Sequence, residues 1–117
     1  MKATAFGKYL RGLRLENEIL LKDMADVLNV SSAYLSSLEL GKKSVPDSFV
    51  AKIVDEYGLN SNEAADLRHA ATLSQPSVKI DLVGKQNDDR EIVMSFARRY
   101  ESLSEESKKQ LKKLLEV

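Results

Sequence analysis

Chemistry at a protein surface needs nucleophiles, bases or metal ligands grouped at workable spacing, and this chain offers few. It has no cysteine, which excludes disulfides and thiolate metal sites, and His69 is its sole histidine. With no second imidazole to join it, His69 reads as an ordinary helix residue rather than a ligand or a base. Serines are plentiful, yet no strained Gly-x-Ser-x-Gly elbow accompanies them. No glycine-rich phosphate loop and no metal-ligand spacing occurs either. The expectation is a protein that is not an enzyme and holds no metal and no cofactor.

The charged groups are more informative. Eighteen Lys and Arg balance eighteen Asp and Glu, so indiscriminate attraction to polyanions is disfavoured. The balance is uneven along the chain. Residues 1–43 carry seven cations against five anions, residues 44–74 two against five, and residues 75–117 nine against eight. The small positive excess therefore lies at the front. No run approaches the length of a membrane span and no signal-peptide apolar region opens the chain. A cytoplasmic location is expected.

The elements that must position these groups follow from period and punctuation. Phe6, Leu10 and Leu13, with Tyr9 beside them, form one face of a helix over Thr4–Asn17, with Thr4 as its cap. A short helix over Leu21–Leu28 turns Met24, Ala25 and Leu28 inward. Asn29 suits a left-handed turn. Ser31 caps a third helix, Ser32–Leu40, with Leu35 and Leu38 inward and Gly41 ending it. Pro46 breaks the chain, and Asp47 or Ser48 caps a fourth helix striped by Phe49, Ile53, Val54 and Tyr57. Asn60 opens a fifth, through Ala64, Leu67 and Ala71 to Leu73. Five helices around one core account for residues 1–74.

Composition then changes. Ser74-Gln75-Pro76-Ser77 reads as a linker, and Val78-Lys79-Ile80-Asp81-Leu82 alternates like a strand. Gly84–Asp89 is a polar turn. Two helices follow, Asp89–Ser102 striped by Ile92, Val93, Phe96, Ala97 and Tyr100, and Ser104 to the end with Leu111, Leu114 and Leu115 inward. The fold class is all-α with one short strand, divided into 1–74 and 75–117.

The second and third helices meet the packing demands of a helix-turn-helix. Ala25 is small where the helices cross, Asn29 makes the turn four residues later, and Leu35 and Leu38 pin the third helix from beneath. Leu21 to Leu40 satisfies this pattern with nothing inserted. In this stretch and its flanks the chain resembles the Cro and phage-repressor type of helix-turn-helix regulator, the XRE family. The resemblance rests on Phe6-Gly7, Leu10-Arg11, Leu13-Arg14, Met24-Ala25, Leu28-Asn29-Val30-Ser31, Ala33-Tyr34-Leu35-Ser36, Leu38-Glu39, Gly41-Lys42 and Pro46, over roughly residues 4–73.

That resemblance implies a five-helix domain that binds duplex operators as a dimer, with Arg14 paired to Glu39 to tie the first helix to the third. It also implies that Ser32, Ala33, Tyr34 and Ser37 face the bases. Hydroxyls can donate to or accept from base edges, and Ala33 and Tyr34 can meet a thymine methyl. None makes a bidentate base contact, so DNA shape and water would carry part of the specificity. Lys22, Ser31, Lys42 and Lys43 are the phosphate candidates. Leu20 and Leu21 depart from the family, which usually has Ser or Asn and then Gln there, and so does Leu40, often Asn.

Two functions fit. One is an autoregulatory transcriptional repressor on a palindromic operator; the other is an antitoxin or inhibitor whose C-terminal region binds a partner protein, such as a toxin. Control by a partner peptidase is a third reading. For the repressor, residues 75–117 would make the homodimer. The strand at Val78–Leu82 would pair with its copy, and Ile80, between Val78 and Leu82, would pack on Ile92, Phe96 and Tyr100. Half-sites would then lie about 34 Å apart.

Overall fold

The computed structural model describes residues 2–117, and among these every regular element is helical. They form two compact units, one up to Val78 and one over Lys79–Val117.

The first unit holds α1 (Ala5–Glu16), α2 (Leu21–Val27), α3 (Ser32–Glu39), α4 (Asp47–Glu56) and α5 (Ser61–Leu73). Each starts where the local chemistry allows. Thr4 accepts the Gly7 N–H at the head of α1, Ser31 accepts the Tyr34 N–H at the head of α3, and Asn60 and Glu63 form a reciprocal box at the head of α5. α4 begins behind Pro46 with no side-chain cap, where Asp47 or Ser48 had been the candidates. The stripes meet in one core. Phe6, Leu10, Met24, Leu28, Leu35, Leu38, Ile53 and Leu67 are all fully enclosed there. Such side chains are each worth about 1.5–3 kcal/mol against exposure.

Two residues in the supposed linker belong to this unit. Ser74 is buried; its Oγ accepts the Phe6 N–H at 2.9 Å and donates to the Ala70 carbonyl at 2.7 Å. The Gln75 side-chain amide brackets Val45, accepting its N–H at 3.0 Å and donating to its carbonyl at 3.1 Å. The end of α5 is thereby fastened to α1 and to the loop before α4.

The second unit holds α6 (Asn87–Arg99), a single 3-10 turn at Tyr100–Ser102, and α7 (Glu105–Leu115). The strand expected at Val78–Leu82 is absent. A five-residue strand is stable only with a ladder partner, and no other segment of the described chain forms a strand to supply one. Local bonds take its place at the end of the segment. Asp81 Oδ1 accepts the Val83 N–H, and the Leu82 carbonyl accepts from the Lys85 N–H and from Arg90 Nη1. No residue of this unit is buried.

Candidate nucleic-acid interface

The geometry of α2, the turn and α3 is fixed from several sides. Asn29 takes a left-handed conformation at φ 58°, and the Val30 N–H behind it donates to the Ala25 carbonyl at 3.0 Å. Ala25 is 1% exposed, so the two helices cross where there is no room for a larger side chain. Lys52 on α4 reaches back to donate its ammonium to the Leu28 carbonyl at 2.7 Å, closing the end of α2. Leu35 and Leu38 hold α3 from beneath, both fully enclosed.

The far end of α3 is held by α1. Thr4 caps α1, and both its N–H and its Oγ1 donate to the Glu39 carbonyl, at 3.0 and 2.9 Å. Gly7 lies directly against that same carbonyl. A Cβ at position 7 would stand 2.3 Å from the Glu39 oxygen, closer than any real contact. Glycine is therefore required by approach distance.

Two turns further along α1, Arg14 meets the Glu39 side chain in a two-pronged pair, Nη1 to Oε2 at 2.6 Å and Nη2 to Oε1 at 2.9 Å. Side-chain exposure is 11% for Arg14 and 4% for Glu39. Arg11, 58% exposed, adds a second cation 3.9 Å from Glu39. Sequence reasoning missed Arg11. Its position one turn before Arg14 on the same helix was the available signal.

The outer face of α3 is open. Ser32 and Ala33 are exposed, while Tyr34 and Ser37 are half-buried. Ser37 donates its hydroxyl to the Tyr34 carbonyl at 2.6 Å, so its proton is committed and it is left to act as an acceptor. Tyr34 has its ring edge-on to Phe49 at 6.2 Å, with the Lys43 ammonium over the Tyr34 ring at 5.5 Å. That cation is thus held beside α3. Lys42 and Lys22 are exposed. Ser31 is exposed too, and since its oxygen accepts the Tyr34 N–H its proton stays free to donate.

The start of α2 is built differently. Leu20 offers no side-chain cap and is 72% exposed; Asp23 instead accepts the Leu20 N–H at 2.9 Å. That carboxylate places a negative charge at the head of α2 and takes up the Leu20 N–H, which weakens that end of α2 as an anion site.

Val78, Ile80, Ile92, Phe96 and Tyr100 are exposed and Leu82 is half-buried. Ile80 and Leu82 line one cavity with Ile92 and Val93, while Phe96 and Tyr100 have ring centroids 5.6 Å apart. Among the described residues no group of three acidic or histidine side chains could hold a metal, and no helix is long and apolar enough to cross a membrane.

No curated protein and no solved structure matches the chain. A family of protein domains described as the helix-turn-helix domain matches residues 5–67, more than half of the chain and the whole of α1 to α4. The chain therefore belongs to the helix-turn-helix domain family and is a DNA-binding regulator.

Proposed function

We propose that this chain is a sequence-specific transcriptional repressor of the Cro and phage-repressor type, autoregulatory, acting on a palindromic operator as a homodimer. One observation carries the proposal: α3 is clamped at its C-terminal end by Thr4, Gly7 and Arg14 and buried beneath, while Ser32 and Ala33 stand free on its outer face. A helix so fixed presents its first turn to the major groove without further ordering cost.

In this reading Ser32, Ala33, Tyr34 and Ser37 meet base edges, and Lys22, Ser31, Lys42 and Lys43 hold phosphates. Arg14 and Glu39 set the angle of α3. The first unit binds DNA and the second makes the dimer through the apolar groups of α6 and the segment before it. Exposures of 68% for Ile92, 44% for Phe96 and 52% for Tyr100 support an unfilled contact there.

Selection from random duplexes tests the proposal. Bound sequences should converge on two inverted half-sites whose centres lie about one helical turn apart. Recovery of sequences with no shared element would overturn it.

A further inference from the structure

The seam of α6 has an order that selects its own occupant. Asp89, Ile92, Phe96 and Arg99 follow one another at intervals of three, four and three residues, the spacing that keeps one stripe against a neighbouring helix. All four are exposed. Asp89 and Ile92 border one cavity of this unit, and Phe96, Arg99 and Leu103 form one wall of the open groove between α6 and α7. Neither Asp89 nor Arg99 has an ion-pair partner among the described residues.

Read from its N-terminal end, the stripe is acid, apolar, apolar, base. Set against a parallel copy, Asp89 would meet Asp89 and Arg99 would meet Arg99. Set against an antiparallel copy, each carboxylate meets a guanidinium and each isoleucine a phenylalanine. A two-fold axis perpendicular to α6 generates that second arrangement, with the same patch on both chains. Arg90, which could disturb the pairing, is turned back to donate to the Leu82 carbonyl at 2.6 Å.

We propose that a second copy of this chain covers the α6 face, with the two α6 helices antiparallel about an axis level with Met94. Asp89 lies opposite Arg99 of the partner subunit, and Ile92 opposite Phe96 of the partner subunit. The proposal rests on the homodimer reading above and adds its orientation and register. No strand takes part.

Sedimentation equilibrium on the full chain tests it with three variants. Asp89→Arg alone and Arg99→Asp alone each turn two attractive contacts per dimer into repulsive ones and should raise the dimer dissociation constant at least about tenfold. The exchanged double variant should return it to within about threefold of wild type. Helix-dipole preference alone predicts the reverse order, because the double variant puts a cation at the start of α6 and an anion at its end. A wild-type dimer indifferent to all three variants, or weakest in the double, overturns the seam and leaves the homodimer standing. A wild-type monomer overturns both.

Discussion

Removing Arg14 leaves the Glu39 carboxylate almost wholly enclosed, with Arg11 at 3.9 Å as its remaining cation. An unpaired charge of that kind costs about 3–5 kcal/mol, whereas exchanging both partners for Met or Leu costs far less. Urea denaturation of Arg14→Ala against Arg14→Met/Glu39→Leu should show that order; two equally small losses would remove the structural role of the pair. Tyr57 is the opposite case. Its hydroxyl is buried without a hydrogen-bond partner among the described residues, and burial, with Glu56 nearby, raises its pKa. Tyr57→Phe should therefore leave stability unchanged or raise it by up to about 1 kcal/mol. A loss larger than that would reveal a partner for the hydroxyl. In the proposed reading Lys42 meets phosphates only: Lys42→Ala should weaken binding to all duplexes alike and reduce the salt slope by about one.

At the scale of the helices, α1 positions α3 through a contact that tolerates no side chain. Gly7→Ala should cost about 1–3 kcal/mol or more, since the obstacle is the Glu39 backbone and cannot rotate away. Gly12, in the same helix with nothing near its missing Cβ, is the control. Gly12→Ala should stabilise by about 0.5–1 kcal/mol. Equal effects at the two positions would contradict the close approach. The helices themselves were legible, because Phe6, Leu10 and Leu13 or Leu35 and Leu38 repeat at a period that only a helix turns to one side. Thr4 could be read as a cap but not as a clamp on Glu39, because that bond spans 35 residues. Gln75 was hidden by its company: beside Ser74 and Pro76 it has the composition of a linker, and its bracket on Val45 has no local trace. Val78–Leu82 misled in the other direction. Alternation marks two faces, but a strand also needs a neighbour, and alternation says nothing of one. The place of α3 was legible from Ala25, Asn29 and Gly41; the burial that sets Tyr34 apart from Ser32 was not, because Phe49 and Lys43, which meet its ring, come from outside the motif.

The whole molecule divides its work between a unit with a closed core and one with none. Ending the chain after Val78 should leave a folded first unit that is monomeric and binds its operator weakly. Ending it after Leu73 should cost about 2–4 kcal/mol more, because the Phe6 N–H and the Val45 backbone lose their partners. Thermal unfolding of the two truncations compares them directly, and identical midpoints would show that Ser74 and Gln75 hold nothing. The central claim is that the outer face of α3 reads duplex DNA, and titration of a selected duplex with wild type and with Ser32→Glu/Ala33→Glu tests it most directly. Both positions are exposed in the first turn of α3, where acidic side chains favour the helix dipole, so the fold should survive. With helix content unchanged, affinity for the selected duplex should fall at least about a hundredfold, by about 2.7 kcal/mol or more. Unchanged affinity in the double variant would show that α3 is not the helix that reads.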